Sequence, residues 1–128
     1  LIKVMFKITV QKNFSASHII RGYPGECGRL HGHNWKVKVV VKTEKLDRYG
    51  MAIDFKEISE ILNDIIEKVD HYHLNDIPPF DKEQPTAENI AKFFYDEVKQ
   101  RLSGREGVEI DFVEIWETEK YSAIYQEL

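Results

Sequence analysis

The stretch "HNWKVKVVVKT", His33 to Thr43, sets Trp35, Val37, Val39 and Val41 on one side of the chain and Asn34, Lys36, Lys38 and Lys42 on the other. A period of two is the mark of a strand with two unlike faces. The same parity reaches back to His33 and His31, so the core-facing set of this strand stays open between valines and imidazoles. Upstream, Ile2, Val4, Phe6, Ile8 and Val10 alternate in the same way and predict a strand over Ile2 to Gln11. Between them "RGYPGECG", Arg21 to Gly28, interrupts regular structure with Gly and Pro. The two strands are expected to pair through this long loop, and loops longer than a hairpin needs are often functional.

Downstream of Gly50, "MAIDF" offers a short apolar strand, and Asp54 with Glu57 has the spacing of a capping box. Phe55, Ile58, Ile61, Leu62, Ile65, Ile66 and Val69 then form one apolar stripe at helical spacing. After the Pro-terminated connection "DHYHLNDIPPF", Pro85-Thr86 opens a second helix carrying Ile90, Phe93, Phe94, Val98 and Leu102. Ser103 to Gly107 stops it, and Val108 to Thr118 and Ser122 to Glu127 read as a closing hairpin. The order β-β-α-α-β-β predicts an α+β domain with helices on one face of an antiparallel sheet.

With 128 residues, 42% apolar and 31% charged, the chain suits one globular domain spanning 1–128. A net charge of −4 lacks the basic footprint of a nucleic-acid binder. No apolar run approaches the roughly 18 residues of a membrane span. One cysteine cannot form an internal disulfide, so Cys27 is a buried small residue, a metal ligand or a reactive thiol, and a reducing, cytoplasmic setting is expected.

The chemistry concentrates in "CGRLHGH", Cys27 to His33. Residues two apart on a strand share a face, so His31 and His33 can direct two imidazoles to one point. His18, just past the first strand, is where an antiparallel partner would pass close to both. Three neutral nitrogen ligands with a fourth position free describe a catalytic zinc. The plain alternative for H-x-H is a pair of half-buried histidines bonded to backbone. Cys27 lies beside Arg29, and a nearby cation favours thiolate. Asp70 and His71 are a candidate carboxylate–imidazole pair, although a histidine at a helix end is also favoured by the dipole. His73 has no evident partner. Val113, Ile115 and Glu117 share a face, and a buried carboxylate there needs a partner or a ligand. Glu114 and Glu119 are the ordinary solvated acids.

Taken together, "FSASH" (14–18), "CGRLHGHNW" (27–35), "MAIDF", "DHYHLND" (70–76), "PTAENIA" (85–91) and "WET" (116–118) resemble the 6-pyruvoyltetrahydropterin synthase family over almost the whole chain. The resemblance implies a T-fold, or tunnelling fold, with a four-stranded antiparallel sheet, two helices on one face and a homohexamer built as a dimer of trimers. It implies Zn2+ on His18, His31 and His33, with Cys27 as catalytic base and Asp70 with His71 as a proton relay. It also implies that Glu117 holds the guanidine-like edge of a pterin.

The three-residue gap between Cys27 and His31, with "HLNDI" and "PTAEN", is similar to the 6-carboxytetrahydropterin synthase branch. That branch converts 7,8-dihydroneopterin triphosphate to 6-carboxy-5,6,7,8-tetrahydropterin, acetaldehyde and triphosphate on the route to queuosine. The substrate would be a small-molecule pterin triphosphate, with Lys36, Lys38 and Arg29 as candidates for its phosphates or as plain solvated cations. Rivals are a pyruvoyl synthase proper, an aldolase-like enzyme in which glutamate replaces cysteine (Glu26 adjoins Cys27), and a non-catalytic zinc- and pterin-binding oligomer.

Overall fold

The computed structural model describes residues 1–128. Its strands are β1 (Phe6–His18), β2 (His31–Thr43), β3 (Tyr72–His73), β4 (Val108–Trp116) and β5 (Ser122–Tyr125), and its helices α1 (Phe55–Ile66) and α2 (Ala87–Arg101). The sheet runs in the order β3-β1-β2-β4-β5. All neighbours are antiparallel except β3, which runs parallel to β1. The α+β class and the two helices agree with expectation, whereas the four-stranded antiparallel sheet is corrected to a mixed sheet of five strands. The addition is two residues long, too short to show any alternation in sequence.

Parity builds the core. Phe14 and Ala16 of β1, Trp35, Val37, Val39 and Val41 of β2, and Val113 and Ile115 of β4 are buried together with Ile58, Ile61, Leu62 and Ile65 of α1 and Ile90, Phe94 and Val98 of α2. Burying such a side chain contributes about 1.5–3 kcal/mol each. The valines of β2 therefore win the core, and the histidines share their side at its rim. On β4 the inward parity changes from Val108 and Ile110 to Val113 and Ile115, because a bulge opposite Val40 and Val41 inserts Asp111. The bulge leaves Glu117 on the core parity.

Several boundaries moved, among them the start of β2, which lies at His31 instead of His33. The first strand starts at Phe6 instead of Ile2, since its partner β2 ends at Thr43 opposite Phe6, and Ile2 and Val4 are left exposed. It continues to His18, which is paired with His31 inside the ladder. "MAIDF" is not a strand: the Asp47 carboxylate accepts the N–H groups of Tyr49 and Met51, the Asp47 N–H donates to the Met51 carbonyl, and this tight loop leaves only Ile53 buried. Strands β4 and β5 stop at Trp116 and Tyr125, short of Thr118 and Glu127.

The helix starts are read correctly in kind. Thr86 caps α2 by accepting the Asn89 N–H at 3.1 Å. Asp54 caps α1, but through the Lys56 N–H at 2.9 Å, with no reciprocal bond from Glu57.

Candidate functional site

The β1–β2 ladder aligns His18 with His31 and Ala16 with His33 at the end where the long loop leaves the sheet. Three imidazoles meet there, with ring centroids 4.4 Å apart for His18–His31, 4.8 Å for His31–His33 and 5.3 Å for His18–His33. Trp35 closes the inner side, 5.0 Å from the His18 ring and 5.2 Å from the His33 ring. Glu117, just beyond β4, extends its carboxylate into the same cluster. Its Oε1 lies 3.1 Å from His33 Nε2, 3.2 Å from His18 Nε2 and 4.0 Å from His31 Nε2. Ligand atoms of these four residues all fall within 4.8 Å of one another, so the group could hold a metal ion.

Backbone carbonyls set the tautomers. The His18 Nδ1–H donates to Pro85 O at 2.7 Å and the His31 Nδ1–H to Arg29 O at 2.6 Å. A ring that gives its Nδ1 proton to a carbonyl keeps a lone pair at Nε2, the usual arrangement behind a metal-ligating imidazole. Burial, opposed by Glu117, lowers the His33 imidazole below its ordinary range and favours its neutral form. Contact with the His18 imidazole, working against burial, holds Glu117 below the usual carboxylate range. The Nε2 atoms of His18 and His33 are buried and satisfy no hydrogen bond. An ion between them would meet that demand, which is the fit these residues offer a metal.

The loop carrying Cys27 is tied down from both sides. Ile19 N–H and carbonyl pair with the amide side chain of Asn75, and Arg21 N–H and carbonyl pair with that of Gln84. The Arg21 guanidinium adds bonds to the carbonyls of Phe80, Glu83 and Asn75. Cys27 lies on a short 3-10 turn, Glu26–Gly28, and its carbonyl accepts the Ile20 N–H at 2.9 Å. Gly28 is required there, because a Cβ would stand 2.2 Å from the Tyr23 carbonyl oxygen. The thiol is exposed and is not among the groups that converge on the histidines.

Asp70 and His71 do point together. His71 adopts a left-handed backbone, φ 64°, fixed by its N–H to Ser15 O, a conformation histidine tolerates better than most residues. That turn brings its Nδ1 to 3.0 Å from Asp70 Oδ1. Asp70 also accepts the Ser15 N–H at 2.9 Å, and this bond first of all holds its carboxyl below the usual range. The pair borders a hollow with Ser15, Asn34, Lys36, Trp116 and Thr118. Ser15, Asn34, Lys36 and Trp116 belong to the helix-free face, and a neighbouring hollow is lined by both His71 and His33.

His73, without a partner in the sequence reading, has Ser17 Oγ at 2.9 Å from its Nδ1. Lys36 and Lys38 stack over Trp116 on that same outer face. Arg29 contributes its carbonyl to His31. Sequence reasoning missed Asn75, Gln84 and the Pro85 carbonyl; their one signal was a pair of amide side chains flanking a Pro-rich connection.

The model of the family described as 6-pyruvoyl tetrahydropterin synthase matches residues 7–128. A relative from Aquifex aeolicus named 6-carboxy-5,6,7,8-tetrahydropterin synthase is 33% identical, covering 80% of this chain and 76% of its own. A relative from Pyrococcus furiosus named dihydroneopterin monophosphate aldolase is 28% identical over 90% of this chain and 92% of its own. The solved 6-pyruvoyl tetrahydropterin synthase of Caenorhabditis elegans has the same fold, with a TM-score of 0.86, 24% identity and coverage of 98% of this chain and 97% of that one.

Proposed function

The chain belongs to the 6-pyruvoyl tetrahydropterin synthase family, and within it we propose a zinc-dependent lyase that converts 7,8-dihydroneopterin triphosphate to 6-carboxy-5,6,7,8-tetrahydropterin, acetaldehyde and triphosphate. The observation that carries this reading is the convergence of three buried or half-buried imidazole Nε2 atoms, two of them with Nδ1 committed to backbone carbonyls. His18, His31 and His33 hold the zinc, a donor set that suits this metal and keeps a position for substrate. When bound, zinc supplies Lewis acidity to the oxygens of the pterin's side chain.

Cys27 is the base. Its exposed thiol sits on a turn that Gly28, Asn75 and Gln84 keep in one shape, so the sulfur can reach a substrate without reorganising the loop. Asp70 orients His71: a carboxylate accepting from Nδ1–H leaves Nε2 free to take or return a proton. The pair borders a hollow on the helix-free face and in this reading serves the histidine cluster of a neighbouring subunit in a homohexamer of two trimers. Glu117 recognises the pterin edge, where a carboxylate can accept two parallel N–H bonds. The product would feed queuosine synthesis in the cytoplasm, with no contact to nucleic acid or membrane. No helix is long and apolar enough to cross a membrane.

The test is to incubate the zinc-loaded protein with 7,8-dihydroneopterin triphosphate and identify products by mass spectrometry. Carboxytetrahydropterin with acetaldehyde is expected. Pyruvoyltetrahydropterin without acetaldehyde would move the chain to the pyruvoyl branch, and cleavage of dihydroneopterin monophosphate instead would make it an aldolase. Absence of turnover on all of them, with zinc retained, would leave a binding oligomer.

A further inference from the structure

We infer that Glu117 is a fourth metal ligand before substrate arrives, and that the arriving pterin draws its carboxylate off the metal. The inference rests on the zinc reading of the histidine cluster and adds a second duty to a residue otherwise given one. A tetrahedral centre with bonds of about 2.0–2.1 Å has edges of about 3.3–3.4 Å. Glu117 Oε1 stands 3.1 Å from His33 Nε2 and 3.2 Å from His18 Nε2. These are close to the separations of neighbouring ligands around one ion. The 4.0 Å separation from His31 Nε2 makes that edge the longest of the three.

Distances of about 3 Å also suit an ordinary hydrogen bond, so direction and proton inventory have to decide. The Nε2 atoms of His18 and His33 satisfy no hydrogen bond although the carboxylate is beside them. The separations of 3.1 and 3.2 Å are therefore contacts without closed hydrogen-bond geometry. In His18 and His31 the Nδ1 proton is committed to a carbonyl, so a neutral ring has no proton left at Nε2 to offer a carboxylate. At His18, the most buried of the three, a lone pair would then face the carboxylate oxygen 3.2 Å away, an arrangement that costs free energy unless a cation lies between them.

The carboxylate is also placed to leave. Glu117 follows the last residue of β4, its N–H donates to the Tyr121 carbonyl at 3.1 Å, and its side chain stays 30% exposed. The backbone is therefore held while the side chain faces both the cluster and solvent. A pterin offering two parallel N–H groups competes with the metal for this one carboxylate. Two ligands that compete for one group must weaken each other reciprocally.

The experiment measures zinc affinity by competition with a chromophoric chelator, for wild type and E117Q, with and without pterin lacking the three-carbon side chain. That probe presents the guanidine-like edge but no side-chain oxygens to the metal. E117Q is expected to bind zinc about tenfold or more weakly. Pterin should weaken zinc binding about fivefold or more in wild type, within the usual range of coupling, and leave E117Q unaffected. In the cobalt-substituted protein, pterin should shift the wild-type visible absorption toward that of E117Q. Zinc affinity of E117Q within twofold of wild type, or wild-type affinity and cobalt absorption that ignore pterin, would overturn the inference while leaving the zinc site standing. H31A that binds zinc as tightly as wild type would overturn the site itself, and the inference with it.

Discussion

Two carboxylates at opposite ends of β4 are treated in opposite ways. Asp111 is 3% exposed at the bulge, and its Oδ2 closes no hydrogen bond, yet Lys7 Nζ lies 2.7 Å from that oxygen, Gln126 donates to the other at 2.9 Å, and Lys42 stands 3.9 Å away. Glu117, at the other end, is surrounded by imidazole nitrogens that satisfy no hydrogen bond. Buried charge supplied with its own cations is architecture. Buried polar atoms without them describe a place for something the chain does not provide.

The strongest test of that contrast removes an imidazole. H33A is expected to lose metal and to lower turnover by roughly 10³-fold or more, the scale of several kcal/mol of transition-state stabilisation. Its metal-free unfolding should stay close to that of metal-free wild type. If H33A instead unfolded at room temperature with zinc still bound, the cluster would be architecture like Asp111. C27A comes next: turnover falls by about 10²–10⁴, the contribution of a positioned acid–base group, while zinc content and unfolding match wild type. Activity that declined only in step with unfolding would remove Cys27 from the chemistry.

K7M reverses the pattern. It leaves Asp111 buried with only Gln126 and the more distant Lys42, so urea denaturation should show a loss of about 2 kcal/mol, below the ~3–5 kcal/mol of a fully stripped pair. Zinc affinity should be unchanged, and a change in it would mean that the two ends of β4 are coupled.

Much of this was legible because alternation survives in the residues. The period of two on β1 and β2 gave strand faces, and the same parity placed His31 and His33 together, with His18 across the ladder. Glu117 stood out as an acid on an apolar face, whereas the bulge was not read, although Val108 and Ile110 differ in parity from Val113 and Ile115. What escaped depends on backbone contacts between distant segments. The pairing of β3 with β1 and the left-handed turn at His71 leave no mark on residue type, and the clamps by Asn75 and Gln84 leave only two amide side chains around a Pro-rich connection.

Asp70 lies between the two extremes, and its effect is the smallest and the most informative about pH. Its Oδ1 accepts the Ser15 N–H and also faces the His71 Nδ1. The Ser15 bond lowers its pKa in the folded chain, so the native state prefers the ionised form and binds fewer protons in acid than the unfolded chain, whose value is about 3.9. Its contribution to stability is complete above that value and is lost as pH falls through the lower native one. D70N should therefore be less stable than wild type at pH 7, with a gap that is constant down to about pH 5 and closes below pH 4. Turnover should be reduced by about tenfold or more across the working pH range, since an amide cannot stabilise a charged His71. A stability gap that widened in acid would mean that Asp70 is protonated in the native state, and the carboxylate that orients His71 would have to be sought elsewhere.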